Sequence, residues 1–549
     1  MKKDFSPEMK SVENDSPQLE SNGSIKSGKV EDGLELSRLG INSETKRDLS
    51  LISIIALGWN ICNSWAAIGA TMSLSIASGG SVTLLYGLLI IVVLNGSAAA
   101  TMAEIASVYP TAGGQYHWTS ILAPQRWSRG LSYCCGAINL LGWIATAAGF
   151  VITTAQLITG LATFMNPTYT IESWHVFLIF QLMNVIFLAY NMFLIKRTSW
   201  IHDVGFAISL LSFLVILITC LARTPSKQTD AFVWGNFVNP TGWSADGVVF
   251  LIGLSNPNFI YSGLDGAVHL AEECTDAART VPKALMSTIV VGFITGFSFA
   301  IAMTYCTTDF DAVMVAPIPI LEIWYQATRS KAAAVTFTTI LTVCGCFAII
   351  GCHQTASRLT YSFARDNALF FSPKLSTVSQ KYGVPMFALL ANGIVVAIIG
   401  CVYLGSTTAF NAMVSSGLIL LQISFAFPAA LLLWRKRSVR FLPKDRPFRL
   451  GPFGWIANCL TIVFAVVALI FYSLPTVLPV TSSNMMGGSS KTKASVDRAS
   501  EPRATDSPSR KGRRLNESRR PRHSLARWSA LLWPELGLAG EDRMWIRPG

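Results

Sequence analysis

Between residues 51 and 480 the chain is a series of apolar stretches, each about 20 residues long and separated by short polar segments. A helix needs about 20 mainly apolar residues to cross roughly 30 Å of hydrocarbon. Eleven stretches meet this requirement, and they predict membrane-spanning helices at 51–78, 82–106, 131–160, 174–195, 200–222, 247–270, 285–306, 333–357, 385–404, 408–433 and 453–475. The sequence therefore predicts an all-α polytopic membrane protein.

The composition agrees with this class. Only 13% of the residues are charged and 51% are hydrophobic, whereas a soluble protein of this length carries about 25% charged residues. Polar residues concentrate in 1–50 and 485–549, which we interpret as a disordered N-terminal tail and a disordered basic C-terminal tail. Residues 51–484 then form one transmembrane domain. The first tail has no apolar run after its lysines, so we expect no cleavable signal peptide.

The positions of Lys and Arg predict the orientation. If the N-terminus is cytosolic, the cytosolic loops hold 17 of these residues and the outer loops hold 4. Positive residues are retained on the cytosolic side, so we expect the N-terminus in the cytosol. The net charge of +12 comes from these loops and the tails, which argues against a nucleic-acid partner. The eleven cysteines show neither disulfide nor metal-ligand spacing, and we expect no metal and no cofactor.

The first predicted span contains a stretch that favours an interruption near mid-membrane. Residues Asn63–Ala70 place small side chains around the single large indole of Trp65. Gly69 lowers the helix propensity of this stretch. Close packing between helices through small residues is the alternative explanation.

The sixth predicted span contains stronger helix-breaking signals. In Ser255–Gly266, Pro257 removes a backbone donor, and Gly263 and Gly266 weaken the helix further. Asp265 places a carboxylate near mid-membrane, where ionisable groups are usually functional. The alternative is a kinked helix whose Asp265 is satisfied by water or by neighbouring groups.

The two candidate breaks lie at matching positions of two halves. Spans one to five occupy 51–222, spans six to ten occupy 247–433, and 453–475 is an extra helix. Because each half has an odd number of spans, the second is inserted with inverted topology. Interrupted helices at matching positions of inverted repeats indicate a midplane substrate site in a secondary transporter.

Three motifs resemble the fungal amino acid/choline/GABA permease family of the amino acid–polyamine–organocation superfamily. They are Glu104–Trp118, Tyr261–Glu273 and Ser357–Asn367. The resemblance covers about residues 40–484. It implies the LeuT-type five-plus-five inverted-repeat fold, a small amine as substrate, proton coupling, and a location as an integral protein of the plasma membrane. Within this family, the chain resembles the choline and γ-aminobutyrate (GABA) permeases.

The end of the chain departs from the family pattern. Family members have a twelfth helix shortly after the segment that corresponds to Leu478–Val480, whereas here a Ser- and Arg-rich tail follows. That tail holds 14 Lys and Arg residues in 485–549, and eleven spans would place it outside the cell. We therefore expect about 11 transmembrane helices, and we interpret the C-terminus as altered or mis-spliced.

The two breaks supply the candidate substrate-binding residues. The first set surrounds the break in span one and the second lies in span six: Trp65, Ala66, Ala67, Ile68 and Gly69, and Phe259, Tyr261, Ser262, Gly263 and Asp265. Trp65, Phe259 and Tyr261 either face an amine, where cation–π attraction is worth about 2 kcal/mol when desolvated, or pack in the core. Asp265 is the candidate partner of the ammonium group or carrier of the coupling proton.

Acidic residues at cytosolic helix ends are candidates for gating or coupling. Glu104 and Glu272–Glu273 are expected either to form ion pairs with Arg358 or Arg365, or to remain solvated helix ends. His269 and His353 either carry protons near neutral pH or are packed histidines.

We interpret the chain as a secondary active permease that imports choline, an amino acid or GABA by alternating access, coupled to H⁺. The alternative is a nutrient receptor that has the permease fold but does not transport. Nucleophile and base residues do not cluster as an enzyme would need, and a channel would need a repeated selectivity ring. The amine carried, the coupling ion and the oligomeric state stay open.

Overall fold

The computed structural model describes residues 49–479 except Ser199, and for Thr408 only the backbone. Within this range the only β-type pairing is an isolated bridge between Leu49 and Cys274. The predictions for the two tails and for the missing twelfth helix lie outside the described residues. The α-helices in chain order are α1 Leu51–Cys62, α2 Ser64–Ala77, α3 Gly80–Ala106, α4 Gln115–Leu122, α5 Gln125–Met165, α6 Ser173–Phe193, α7 Ile201–Arg223, α8 Asp230–Gly235, α9 Asp246–Gly253, α10 Ser255–Phe259, α11 Gly266–His269, α12 Ala277–Cys306, α13 Phe310–Val315, α14 Pro319–Thr328, α15 Lys331–Arg365, α16 Ser372–Leu375, α17 Met386–Gly405, α18 Thr407–Trp434 and α19 Phe453–Phe471.

Ten segments of the described chain are long and apolar enough to cross a membrane, with α1 and α2 counted as one. They match ten of the eleven predicted spans. The remaining prediction, 247–270, is divided into the short helices α9, α10 and α11. The polytopic helical architecture is therefore confirmed, and the sixth span is the one that is divided into short helices.

The break in the first span is one residue wide. Asn63 adopts the left-handed conformation with φ 31° and ψ 63°, which an Asn side chain tolerates better than most. Its N–H still donates to the carbonyl of Trp59 at 2.6 Å, and its carbonyl accepts from the N–H of Ala67 at 2.9 Å. The predicted interruption over Asn63–Ala70 is therefore confined to its first residue, and the rest is regular helix.

The break in the sixth span is wider. Residues 260–265, between α10 and α11, form successive turns. Gly263 has φ +81°, and a Cβ there would lie 2.5 Å from Cγ2 of Ile61 and 3.0 Å from Cη2 of Trp143. Both the left-handed backbone conformation and the lack of room for a Cβ atom require glycine at this position. The break brings Ile61 and Trp143 into close contact with the backbone of the sixth span.

The two interrupted segments pack against each other. Ser64 Oγ donates to the carbonyl of Ile260 at 3.0 Å, and Cys62 Sγ donates to the carbonyl of Ser262 at 3.6 Å. Asn256 Nδ2 donates to the carbonyl of Thr71 at 2.7 Å. In hydrocarbon an unpaired backbone carbonyl is costly. Each interrupted segment therefore supplies side-chain donors to the other.

The surrounding helices hold this pair in place. The long helix α5 packs against α15 and α18, and α3 packs against α12 and α19. Helices α12 and α15 also contact α1. The interrupted segments therefore lie inside the bundle, where irregular backbone is shielded from lipid.

Glu104, at the end of α3, is fully buried and has partners other than those predicted. Its carboxylate accepts from Arg437 at 2.5 Å and from Arg446 at 2.6 Å, and also from the N–H of Leu450 at 3.1 Å. The expected pairing with Arg358 or Arg365 is wrong, and so is the solvated alternative. The reason is that both of those arginines extend from α15, whereas α3 ends against the segment 435–450 that follows α18.

We predict that Glu104→Gln destabilises the protein by about 3–5 kcal/mol, because it leaves two buried guanidinium groups without a counter-charge. The measurement is thermal unfolding of the purified protein in detergent. Asp276→Asn serves as the control, since the Asp276–Arg279 pair is more than half exposed and should matter by less than about 1 kcal/mol. Equal melting temperatures for Glu104→Gln and the parent would contradict the prediction.

Candidate functional site

A small cavity lies between the two breaks. Its volume is about 60 Å³. Helix α2 and the break before it contribute Asn63, Ala66, Ala67 and Ala70. These positions follow the spacing i, i+3, i+4 and i+7, so they form one face of a helix. The cavity is completed by Cys62, Phe259 and Ser262 and by residues of α5, α15 and α18.

A wider vestibule of about 400 Å³ adjoins this cavity. The two share lining residues, including Thr71, Thr153 and Phe259. The vestibule extends along the C-terminal ends of α2 and α5 and the N-terminal end of α18. These ends lie on the side of the membrane opposite the start of α1. The cavity is therefore open to that side.

The lining of both spaces is uncharged. Among the described residues, no Asp, Glu, Lys, Arg or His contributes to either wall. The central cavity presents the aromatic rings of Phe150 and Phe259, the amide of Asn63, and hydroxyl groups of Thr71, Thr146, Thr153, Thr154 and Ser262. Aromatic faces attract cations that have been removed from water, and hydroxyl and amide groups recognise polar substituents.

The structure brings only some of the predicted site residues to the cavity. Ala66, Ala67, Phe259 and Ser262 line it. The predicted residues outside its lining are Trp65, Ile68, Gly69, Tyr261, Gly263 and Asp265.

Trp65 and Tyr261 do not line the cavity, and both pack in the core, which was the alternative interpretation. Trp65 is fully buried and donates through Nε1 to Ser209 in α7 at 3.0 Å. Tyr261 donates through Oη to the carbonyl of Ile289 at 3.0 Å. Ile68 and Gly69 face α12, where they lie against Gly296 and Phe299. A helix turns about 100° per residue, so positions adjacent to the lining face point elsewhere.

Several lining residues were missed from the sequence. Asn63 begins the predicted stretch but was not assigned a role, and its position is the helix break itself. Phe150, Thr153 and Thr154 of α5 and Cys344 of α15 also line the cavity. Their helices are apolar on most sides, and the sequence carries no signal that fixes which side faces the cavity.

Asp265 lies outside the cavity lining, three residues after Ser262, which is part of that lining. It is fully buried, and its Oδ2 accepts from Gln115 Nε2 at 2.8 Å and Trp143 Nε1 at 3.2 Å. Oδ2 is also 3.0 Å from His269 Nε2. Asp265 is therefore not part of the cavity wall.

His269 is part of this network rather than an isolated packed side chain. Its Nδ1 is 2.8 Å from the carbonyl oxygen of Ala112. A carbonyl only accepts, so Nδ1 carries a hydrogen. Nε2 then contacts Asp265 Oδ2 either as a second N–H facing a carboxylate or as an acceptor from a carboxylic acid. In either arrangement, a hydrogen lies between Nε2 and Oδ2.

Two buried carboxylates close the side of the bundle where α1 begins. Glu272 accepts from Arg365 at 2.9 Å, and Glu273 accepts from Arg358 at 2.7 Å and Lys196 at 2.6 Å. The predicted ion pairs of Glu272 and Glu273 with Arg365 and Arg358 are thus present. They join the end of the sixth span to α15.

The electrostatics of Glu273 favour these pairs. Burial alone would raise the pKa of Glu273, but the charges and hydrogen bonds of Arg358 and Lys196 lower it from 4.5 to about 2. A carboxylate with a lowered pKa stabilises the folded arrangement above its ordinary pKa and loses that effect as the pH falls towards the lowered value. The closed side is therefore stabilised at any pH above about 4.5.

Comparisons with known proteins agree with this architecture. The chain matches the family model described as amino acid permease over residues 49–487. It is 36% identical over 443 residues to the choline transporter of Saccharomyces cerevisiae, which covers 80% of this chain and 78% of that protein. It is 27% identical over 492 residues to the 7-keto 8-aminopelargonic acid transporter of the same yeast, covering 79% and 87%.

A solved structure has the same fold. The crystal structure of MhsT in complex with L-phenylalanine matches with a TM-score of 0.57 and 12% sequence identity, covering 78% of this chain and 99% of that one. The predicted LeuT-type fold is thereby confirmed.

We predict that Glu273→Gln opens the cavity towards the side of the bundle where α1 begins, because Arg358 and Lys196 lose their shared counter-charge. The measurement is the labelling rate of Cys62, which lines the cavity, by an impermeant thiol reagent applied to that side. Cys344, which also lines the cavity, and the exposed cysteines Cys134, Cys401 and Cys459 are replaced by Ser beforehand. We expect labelling to accelerate by about tenfold or more.

The matched control for this experiment is Glu322→Gln. Glu322 lies in α14, on the side of the bundle opposite Glu273, and its Oε1 accepts a hydrogen bond from Gln326 Nε2 at 3.0 Å. The Glu322→Gln substitution should leave the labelling rate unchanged. If Glu273→Gln also left it unchanged, the ion pairs would not close this side.

Proposed function

The chain belongs to the amino acid permease family, and on that premise we propose that it is a secondary active carrier that imports a small cationic amine, with choline as the best-matched solute. The observation that carries the proposal is the uncharged cavity between the two helix breaks. Its rings and hydroxyl groups suit one permanent positive charge and one polar substituent.

The absence of charge in the described lining favours a quaternary ammonium over a zwitterion. A quaternary nitrogen has no N–H donors, so aromatic faces can replace its water without leaving a hydrogen bond unmade. Phe150 and Phe259 supply such faces. The C-terminal end of α1, at Cys62, adds the partial negative charge of its last carbonyls. A carboxylate would meet no Lys or Arg in this cavity. The 36% identity with a yeast choline transporter points the same way.

The open and closed sides support transport by alternating access. With the N-terminus in the cytosol, the vestibule faces outwards and the Glu272 and Glu273 ion pairs seal the inner side. The solute would enter from outside, and separation of these pairs would release it to the cytosol. We place the carrier in the plasma membrane, where import from outside is needed. The receptor alternative has no observation that favours it.

We propose that the coupling ion is H⁺ and that the Asp265–His269 pair binds it. The two side chains share a hydrogen between Nε2 and Oδ2, and Asp265 lies three residues from the cavity-lining Ser262. The same span leads directly to Glu272 and Glu273. Gain or loss of the proton changes the charge on a segment that connects the cavity floor to the closed inner side. Coupling would then act through the sixth span and not through direct contact with the solute.

The test of function is uptake of radiolabelled choline by purified protein in proteoliposomes. We expect saturable uptake that tetramethylammonium inhibits strongly and that GABA and neutral amino acids inhibit weakly. Equal inhibition by zwitterions would contradict the assignment of a quaternary ammonium. Specific choline binding without uptake would instead identify a receptor.

We predict that Asp265→Asn abolishes choline accumulation driven by an inward proton gradient but leaves choline exchange measurable, because the pair loses its proton site and not the cavity. Asp246→Asn is the control, since Asp246 is an exposed carboxylate at the outer end of the same span and should not affect accumulation. Full accumulation by Asp265→Asn would refute the coupling role.

A further inference from the structure

We propose that Asn63 is a specificity-determining residue that donates a hydrogen bond to an acceptor oxygen of the solute, and that Ser209 of α7 is the positioning residue that orients its amide. Both are 95% or more buried. The inference deepens the proposed function and rests on it, because it assigns a role within the same cavity. The preferred solute then carries both a cationic head and an oxygen acceptor, whereas a quaternary amine without the oxygen still binds but more weakly.

Ser209 is the centre of a small hydrogen-bond network at the break in the first span. Its Oγ accepts from Trp59 Nε1 at 3.3 Å and from Trp65 Nε1 at 3.0 Å. It also lies 2.9 Å from Oδ1 of Asn63. Trp59 belongs to α1 and Trp65 to α2, so one hydroxyl joins both halves of the interrupted helix to α7.

The hydrogen atoms in this network fix which end of the Asn63 amide faces Ser209. An indole N–H only donates, and a hydroxyl oxygen accepts at most two hydrogen bonds. Both acceptor positions of Ser209 are therefore used by the two tryptophans. Its own hydrogen must go to an acceptor, and the only acceptor of a carboxamide side chain is its oxygen. The Nδ2 end of Asn63 is consequently turned away from Ser209.

The Nδ2 group of Asn63 is buried and meets the geometry of no hydrogen bond among the described residues. The acceptor beside it is the Cys344 thiol, and a sulfur atom accepts hydrogen bonds only weakly. Asn63 lines the central cavity. A buried donor without a partner is unfavourable, and an oxygen of a bound solute would satisfy it. The break itself places this residue at the wall, because the left-handed conformation at Asn63 separates α1 from α2.

The cavity wall completes the recognition pattern. Phe150 and Phe259 provide faces for a methylated ammonium head, and the amide of Asn63 provides a single oriented donor. The matching class of solute is a small quaternary amine with a hydroxyl or ether oxygen. A quaternary amine of the same size without that oxygen would occupy the cavity but leave Nδ2 unpaired.

The experiment compares two inhibitors of choline uptake in proteoliposomes: unlabelled choline and propyltrimethylammonium, in which a methyl group replaces the hydroxyl. We expect the parent protein to prefer choline by about five- to tenfold. In Ser209→Ala and in Asn63→Gly the preference should fall to about 1. Glycine is chosen at position 63 because it accepts the left-handed conformation without strain.

The control is Ser212→Ala, which removes a hydroxyl three residues further along the same helix. It should keep the parent preference. The ratio is measured within each variant, so it does not depend on how much folded protein each preparation contains. If Ser209→Ala does not fold, Asn63→Gly still tests the donor, because Ser209 then keeps both of its tryptophan partners.

The outcomes separate the two proposals. If the parent takes up choline but prefers neither inhibitor, or if Asn63→Gly keeps the parent preference, the role of Asn63 is overturned and the proposed function stands. If Asn63→Gly loses the preference and a folded Ser209→Ala keeps it, Ser209 is not the positioning residue. If choline is not taken up at all and neither amine binds, the proposed function fails and this inference fails with it.

Discussion

The structure depends on one requirement of the bilayer: a backbone polar group inside hydrocarbon must find its partner within the protein. Two spans of this chain are interrupted, and each interruption frees such groups. Ser64 and Cys62 donate to carbonyls of the sixth span, and Asn256 donates to a carbonyl of the first. The mutual pairing allows both breaks to exist, and the space between them is the cavity.

In the proposed mechanism, the residues that would recognise the solute are separate from those that would control the gate. The cavity wall contains rings, hydroxyls and one amide, while the charged groups of the sixth span begin at Asp265, beyond the floor. Trp143 and Ile61 pack against Gly263 and divide the two regions. In the proposed mechanism, a proton on the Asp265–His269 pair and a cation in the cavity would therefore not share a contact. Their influence on each other would pass through the backbone of the sixth span.

The buried carboxylates on the N-terminal side form two separate groups. Glu104 joins α3 to the segment 435–450 through two arginines, whereas Glu272 and Glu273 join the end of the sixth span to α15 and Lys196. Only the second group follows directly from the span that lines the cavity. Removing one partner of a buried ion pair is strongly destabilising. The Glu104 group therefore holds α3 and the segment 435–450 together, and the Glu272 and Glu273 group is the candidate gate.

The sequence by itself determined the membrane class, the spans and the position of the broken sixth helix, because hydropathy, Pro257 and Gly263 act locally. It also located Asp265 and the arginines that meet Glu272 and Glu273. Only the tertiary structure decided which side of each helix faces the cavity. Lipid and protein interior are similarly apolar, so a membrane helix has a weaker amphipathic pattern than a soluble one. For that reason Trp65 and Tyr261 point elsewhere, Glu104 has other partners, and Asn63 was recognised only in the fold.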